Sequence, residues 1–140
     1  MKAYLAARFS RFDELNRYKR ELEDYGVEVT SRWLNGGHEW VGTPDEDIPV
    51  ERNAMFAQED LDDIEGADIF ICFTEPARSG PARGGRHVEF GYALARRMPI
   101  LVVGHRENVF YCLPFPALIF VDTWAEAVGF LTMVGKLVDA

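Results

Sequence analysis

Short apolar runs alternate along the chain with stretches whose apolar residues return every three or four positions. Residues 3–7 (AYLAA) read as a first strand. Ser10 then fits a helix N-cap, with Asp13 as an acidic partner three residues on. Leu15, Tyr18, Leu22 and Tyr25 mark one face of a helix running to about Tyr25, and Gly26 stops it. The stretch VEVT at 27–30 alternates and is rich in β-formers, so it reads as a second strand. Residues 32–50 hold Gly, Pro, Asn and Asp without a helical period and read as a loop. Ala54, Ala57, Leu61 and Ile64 mark a second helix, ended by Gly66. IFICF at 69–73 is apolar without a break, as a parallel strand buried on both faces requires. A loop over 75–85 is rich in Pro, Gly and Arg. A third helix is expected over 86–97, with Val88, Tyr92 and Ala95 facing inward. Strands follow at 100–103 and 118–121, separated by a loop over 105–116, and a closing helix spans 124–138.

Strands that alternate with helices predict an α/β chain with a parallel sheet. With 140 residues, one domain spanning 1–140 is expected. Five strands fit a flavodoxin-like three-layer sandwich with strand order 2-1-3-4-5. Ligands bind such sheets beyond the carboxyl ends of the strands. That rule selects four loops, at 8–12, 31–50, 74–85 and 105–116.

Charge narrows the partners. The net charge is −8, which argues against nucleic acid. Arginines nevertheless cluster at Arg8 and Arg11 and at Arg78, Arg83 and Arg86, on ligand-side loops. They suit a small anionic ligand, or else they pair with the excess acids. Two cysteines, Cys72 and Cys112, with no CxxC and no leader-like start, fit a reduced cytoplasmic chain. No apolar run approaches the ~20 residues that span a membrane. His38, His87 and His105 lack metal-ligand spacing, so no metal is expected. No other cofactor is expected either, since neither GxGxxG nor GxxxxGK[ST] occurs. The first strand ends Ala6-Ala7-Arg8, without the acids of a phospho-receiver.

One residue stands out. Glu89 lies in RGGRHVEFGYALA, within a run that otherwise reads as a packed helix. In the first turn of that helix its carboxylate would be held ionised by the helix dipole and nearby arginines. It is then either a nucleophile or a cap of its own helix. Gly84, Gly85, Gly91 and Ala93 leave room for a flat ligand beside it. Asp60 sits in EDLDDIEGAD, where Asp62 and Asp63 read as solvent-facing charge. Trp33, His38 and Trp40 flank a glycine pair; they either stack on a planar ligand or fold over the domain.

YLAA in the first strand, an aspartate before "AD" and an apolar strand, a glycine-containing loop, VEFGYALA and then PILVV follow one another in order. In this order the chain resembles the nucleoside 2-deoxyribosyltransferase family, which includes relatives that hydrolyse the N-glycosidic bond of nucleoside 5′-monophosphates. The resemblance implies that Glu89 attacks C1′ of the sugar, that Asp60 assists near sugar and base, and that Tyr4 positions the site. It implies that Asn108 reaches a neighbouring subunit's sugar, while placement on the ligand-side loops makes Arg8, Arg11, Trp33, Ser79, Arg83 and Gly85 the other expected substrate contacts. Position 83, six residues before Glu89, departs from the family: transferases tend to carry an acid there and the hydrolases a serine. An arginine there favours an anionic substrate. A small-molecule nucleoside or nucleotide is the expected partner, in a homodimer or larger homo-oligomer with shared sites. The exposed-looking FYCLPFP fits self-association. The alternative is a non-catalytic nucleotide-binding module on the same fold.

Overall fold

The computed structural model describes residues 1–37, 49–76 and 84–138. The strands are β1 (Lys2–Ala6), β2 (Glu28–Val29), β3 (Ile69–Phe73), β4 (Ile100–Val103) and β5 (Leu118–Val121). The α-helices are α1 (Phe12–Asp24), α2 (Val50–Glu65), α3 (Gly85–Ala95) and α4 (Trp124–Val138). All strand pairs are parallel, in the order β2-β1-β3-β4-β5. This is the flavodoxin-like arrangement that the alternation of elements predicts. All five residues of β3 are buried, because the strand lies mid-sheet with helices on both faces.

Strand alternation sorts side chains between the two helical layers. Tyr4 pairs in register with Phe70, and their rings stack 5.6 Å apart beneath α2 and α3. Phe73 faces the other layer, where Tyr18 of α1 stacks on both Phe73 and Trp124 of α4.

Three local expectations are corrected. Ser10 caps nothing: it lies inside a 3₁₀ turn at Phe9–Arg11, and Arg11 holds the N-cap position of α1 without a side-chain bond. Phe9 and Phe12 both pack on Trp33, which explains why the chain coils before the serine can cap it. The loop after β2 opens with a 3₁₀ turn at Arg32–Asn35. Helix α3 starts and ends earlier than expected, and its inward face differs. Arg86, Phe90 and Ala93 are buried, whereas Val88 is 70% exposed and Ala95 is exposed. Phe90 stacks on Tyr111 at 4.1 Å, and that contact sets the helix rotation.

Candidate active site

Glu89 lies on the fifth residue of α3, past the first turn, so it is not the cap of its own helix. The helix begins after Gly84, whose φ of +84° is a conformation that residues with a Cβ rarely adopt. The helix that follows turns its Arg86–Phe90–Ala93 face, with Glu89 beside it, toward the sheet. The Tyr4 hydroxyl donates a hydrogen bond to Glu89 Oε2. Tyr4 is fully buried, and burial, Glu89 and then Asp60 push its phenol well above the ordinary value. It therefore remains a donor.

Asp60 of α2 completes the group. Its Oδ1 is buried without a hydrogen-bond partner among the described residues. Burial, then Asp63 and Glu59, raise its carboxyl to about 7. Burial also raises Glu89, to about 8; the Tyr4 hydroxyl opposes that shift and Asp60 adds to it. This corrects the expectation that arginines hold Glu89 ionised at neutral pH. Two carboxyls in one poorly solvated corner cannot both ionise easily, so the pair holds a proton. A buried acceptor with no partner is a position for a ligand group or a proton.

Asp63 overturns the reading of a wet acidic face. It is buried and accepts the Arg32 backbone N–H at 2.9 Å and its Nε at 2.8 Å. The Thr30 hydroxyl donates to the Asp63 carbonyl at 2.9 Å. The chain after β2 is thereby tied to α2 beside Asp60.

Among the described residues, the arginines Arg8, Arg11 and Arg86 at this end of the sheet are engaged with acids. Arg11 donates to both oxygens of Glu14 at 2.8 Å and to Glu75 at 2.8 Å, and Arg8 lies 3.6 Å from Glu75. Arg86 is buried and forms a two-pronged pair with Glu107. Trp33 is also corrected: its ring is buried, and its indole N–H donates to the Leu5 carbonyl at 2.8 Å, so it supports β1 from within. Gly85 opens α3 and is exposed. Asn108 is exposed and its side chain accepts from the Phe110 N–H at 3.0 Å, capping a 3₁₀ turn at Val109–Cys112. Ser79, Arg78 and Arg83, with His38 and Trp40, lie outside the described residues.

Glu107 and Thr74 escape sequence reasoning. A lone glutamate in a polar loop gives no pattern, and its partner Arg86 is 21 residues away. A cleft of about 400 Å³ opens on the opposite layer, between α1 and α4, lined by Tyr18, Phe73, Glu75, His105 and Trp124. It is separate from the carboxylate pair, because Phe73 and Tyr4 point to opposite faces of the sheet. Among the described residues no group of three or more His, Cys, Asp or Glu could hold a metal ion, and no helix is long and apolar enough to cross a membrane.

No protein-family model and no curated protein matches the chain. Solved structures do. A 2-deoxyribosyltransferase from Bacillus psychrosaccharolyticus is similar with a TM-score of 0.67 and 20% identity, over 91% of this chain and 90% of that one. The CMP N-glycosidase BcmB of Clostridium botulinum is similar with a TM-score of 0.57 and 19% identity, over 95% of this chain and 99% of that one. At these identities the likeness establishes a shared fold.

Proposed function

We propose that this chain cleaves the N-glycosidic bond of a nucleoside or nucleoside 5′-monophosphate, with Glu89 as the nucleophile at C1′. The observation that carries the reading is the convergence of Glu89, Tyr4 and Asp60 from α3, β1 and α2 in one poorly solvated corner. The names of the two similar structures, a deoxyribosyltransferase and an N-glycosidase, support the same bond as the target.

The chemistry follows from the proton that the carboxyl pair holds. The reactive form is the minor arrangement of the pair's one proton, which Glu89 binds somewhat more tightly: the proton sits on Asp60 and Glu89 is ionised, with the Tyr4 hydroxyl donating to it. A Glu89 oxygen bonds to C1′ as the C1′–N bond breaks, and the electron pair leaves with the base. Asp60 gives its proton to that base. The sugar is then held as a glycosyl ester of Glu89, as in retaining glycosidases. In the second step Asp60 takes a proton from water or from an acceptor base. That acceptor attacks C1′, and Glu89 is released. Water gives hydrolysis and a second base gives transfer.

Arg83, six residues before Glu89, favours an anionic substrate, which points to monophosphates. Val109, Phe110 and Leu113 are exposed after β4 and support self-association. To test the reading, the protein is incubated with nucleosides and their 5′-monophosphates, with and without an acceptor base, and products are separated chromatographically. Release of free base from the monophosphates is expected. Nucleotide binding without release of base from any substrate would leave a binding module instead.

A further inference from the structure

Glu107 lies in the loop after β4 and grips separate parts of the sheet's carboxyl edge. Its two oxygens accept from the two Nη atoms of Arg86, at 2.6 and 2.5 Å. One of them also accepts the Glu75 backbone N–H, at 2.8 Å, just past the end of β3. His87 Nε2 lies 3.5 Å from the other. Burial alone would raise the Glu107 carboxyl, but the bonds from Arg86 and Glu75 outweigh it and hold it below its ordinary value. Glu107 is therefore an anion at neutral pH, fixed to α3 and to the β3–α3 loop together.

Arg86 precedes Glu89 by three residues, so the two side chains are neighbours on one helix face. Arg86 is 6% exposed and has little access to water as an alternative partner. Released from Glu107, its guanidinium would find Glu89 within a helical turn. An arginine bound to a nucleophilic carboxylate occupies the lone pairs that must attack and makes the group less basic.

We propose that Glu107 is a positioning residue for the candidate active site: it holds the Arg86 guanidinium off Glu89. Its importance for turnover rests on the reading of Glu89 as the nucleophile, but the geometry can be tested without substrate. The titratable groups facing Glu89 are Tyr4 from β1, Asp60 from α2 and the Cys72 thiol from β3. Burial pushes that thiol up to about 12, and its sulfur lies 3.4 Å from the Tyr111 hydroxyl, which in turn lies 3.4 Å from His87 Nδ1. Asp63 raises two of these neighbours, Tyr4 and Asp60.

The experiment follows the Glu89 carboxyl by ¹³C NMR across pH in the ligand-free protein, with the resonance assigned by its loss in Glu89→Gln. In Glu107→Gln the midpoint should fall by about one to three pH units, as for a carboxyl that gains a cation at close range. In the double variant Arg86→Met/Glu107→Leu it should return to the wild-type value. An apolar pair in place of a buried ion pair is often well tolerated, so this variant should fold. An unchanged midpoint in a folded Glu107→Gln would overturn the proposal. If Glu107→Gln does not fold, Glu107→Asp decides, since it keeps the charge but shortens the grip on Arg86: a lowered midpoint supports the proposal and an unchanged one overturns it. The outcome is separable from that of the base-release assay. A shifted midpoint in a protein that releases no base removes the catalytic reading alone, and a fixed midpoint in an active enzyme removes this proposal alone.

Discussion

Tyr4 donates its hydroxyl to Glu89 while Asp60 leaves a buried oxygen unpaired among the described residues, and burial raises both carboxyls, with Asp60 adding to the shift of Glu89. Both effects have a measurable sign. Glu89 binds its proton up to about 8 in the folded chain, against an ordinary 4.5. The folded state therefore keeps a proton that the unfolded chain has released. Stability from this group is complete below the ordinary value, falls as pH rises through the folded one, and then levels off. Glu89→Gln cannot ionise, so it should gain stability relative to wild type between about pH 5 and pH 8, by about 1–3 kcal/mol. Denaturant unfolding at a series of pH values checks this, and parallel curves for the two proteins would contradict it. Turnover has its own profile. On the proposed mechanism, loss of the pair's first proton opens the form in which Glu89 can attack, and loss of the second removes the acid that protonates the base. The rate of base release should rise and then fall with pH, with both limbs near neutrality. Asp60→Asn should remove the falling limb and slow the reaction about a hundredfold or more; a falling limb that persists would take the acid role from Asp60.

At the scale of elements, the carboxyl edge of the sheet is where packing is tightest. Gly104 ends β4 with φ at +120°, and a Cβ there would lie 2.7 Å from the Thr74 hydroxyl oxygen. Gly104→Ala should therefore cost about 2 kcal/mol or more, from both strain and contact. Adding Thr74→Ala should recover the contact part only, as equilibrium unfolding of the two variants will report; a neutral Gly104→Ala would show that the edge can yield. How far such features are legible in the sequence depends on whether their signal is local. The uninterrupted IFICF gives β3 its place without any tertiary information. Helix α3 is legible as a helix, but its rotation is set by Tyr111, a distant residue, and Val88 is misjudged as inward for that reason. Asp63 is misread because a run of acids looks solvated, whereas Arg32 reaches it across 31 positions. Glu107 carries no local signal at all.

At the scale of the whole molecule, the sheet order brings β1 beside β3, so that Tyr4, from the start of the chain, meets a helix that begins at Gly85. The pairing of Glu89 with Tyr4 and Asp60 follows from that order together with the resemblance in VEFGYALA, and both are readable in the sequence. The network that supports them is not, because Arg32 and Asp63, and Arg86, Glu75 and Glu107, lie far apart in the chain and meet only when it folds. The arginines show the same limit. Their loops are legible, but Glu14, Glu75 and Glu107 engage Arg11, Arg8 and Arg86 in the empty protein, and only the fold brings those acids within reach. The central claim is that one carboxylate does the chemistry. The most direct measurement compares base release by wild type and Glu89→Gln on the substrate that the panel identifies, under one set of conditions. Loss of activity on the order of a thousandfold or more in a folded variant is expected. Release of base by Glu89→Gln at the wild-type rate would contradict a glutamate nucleophile at this position.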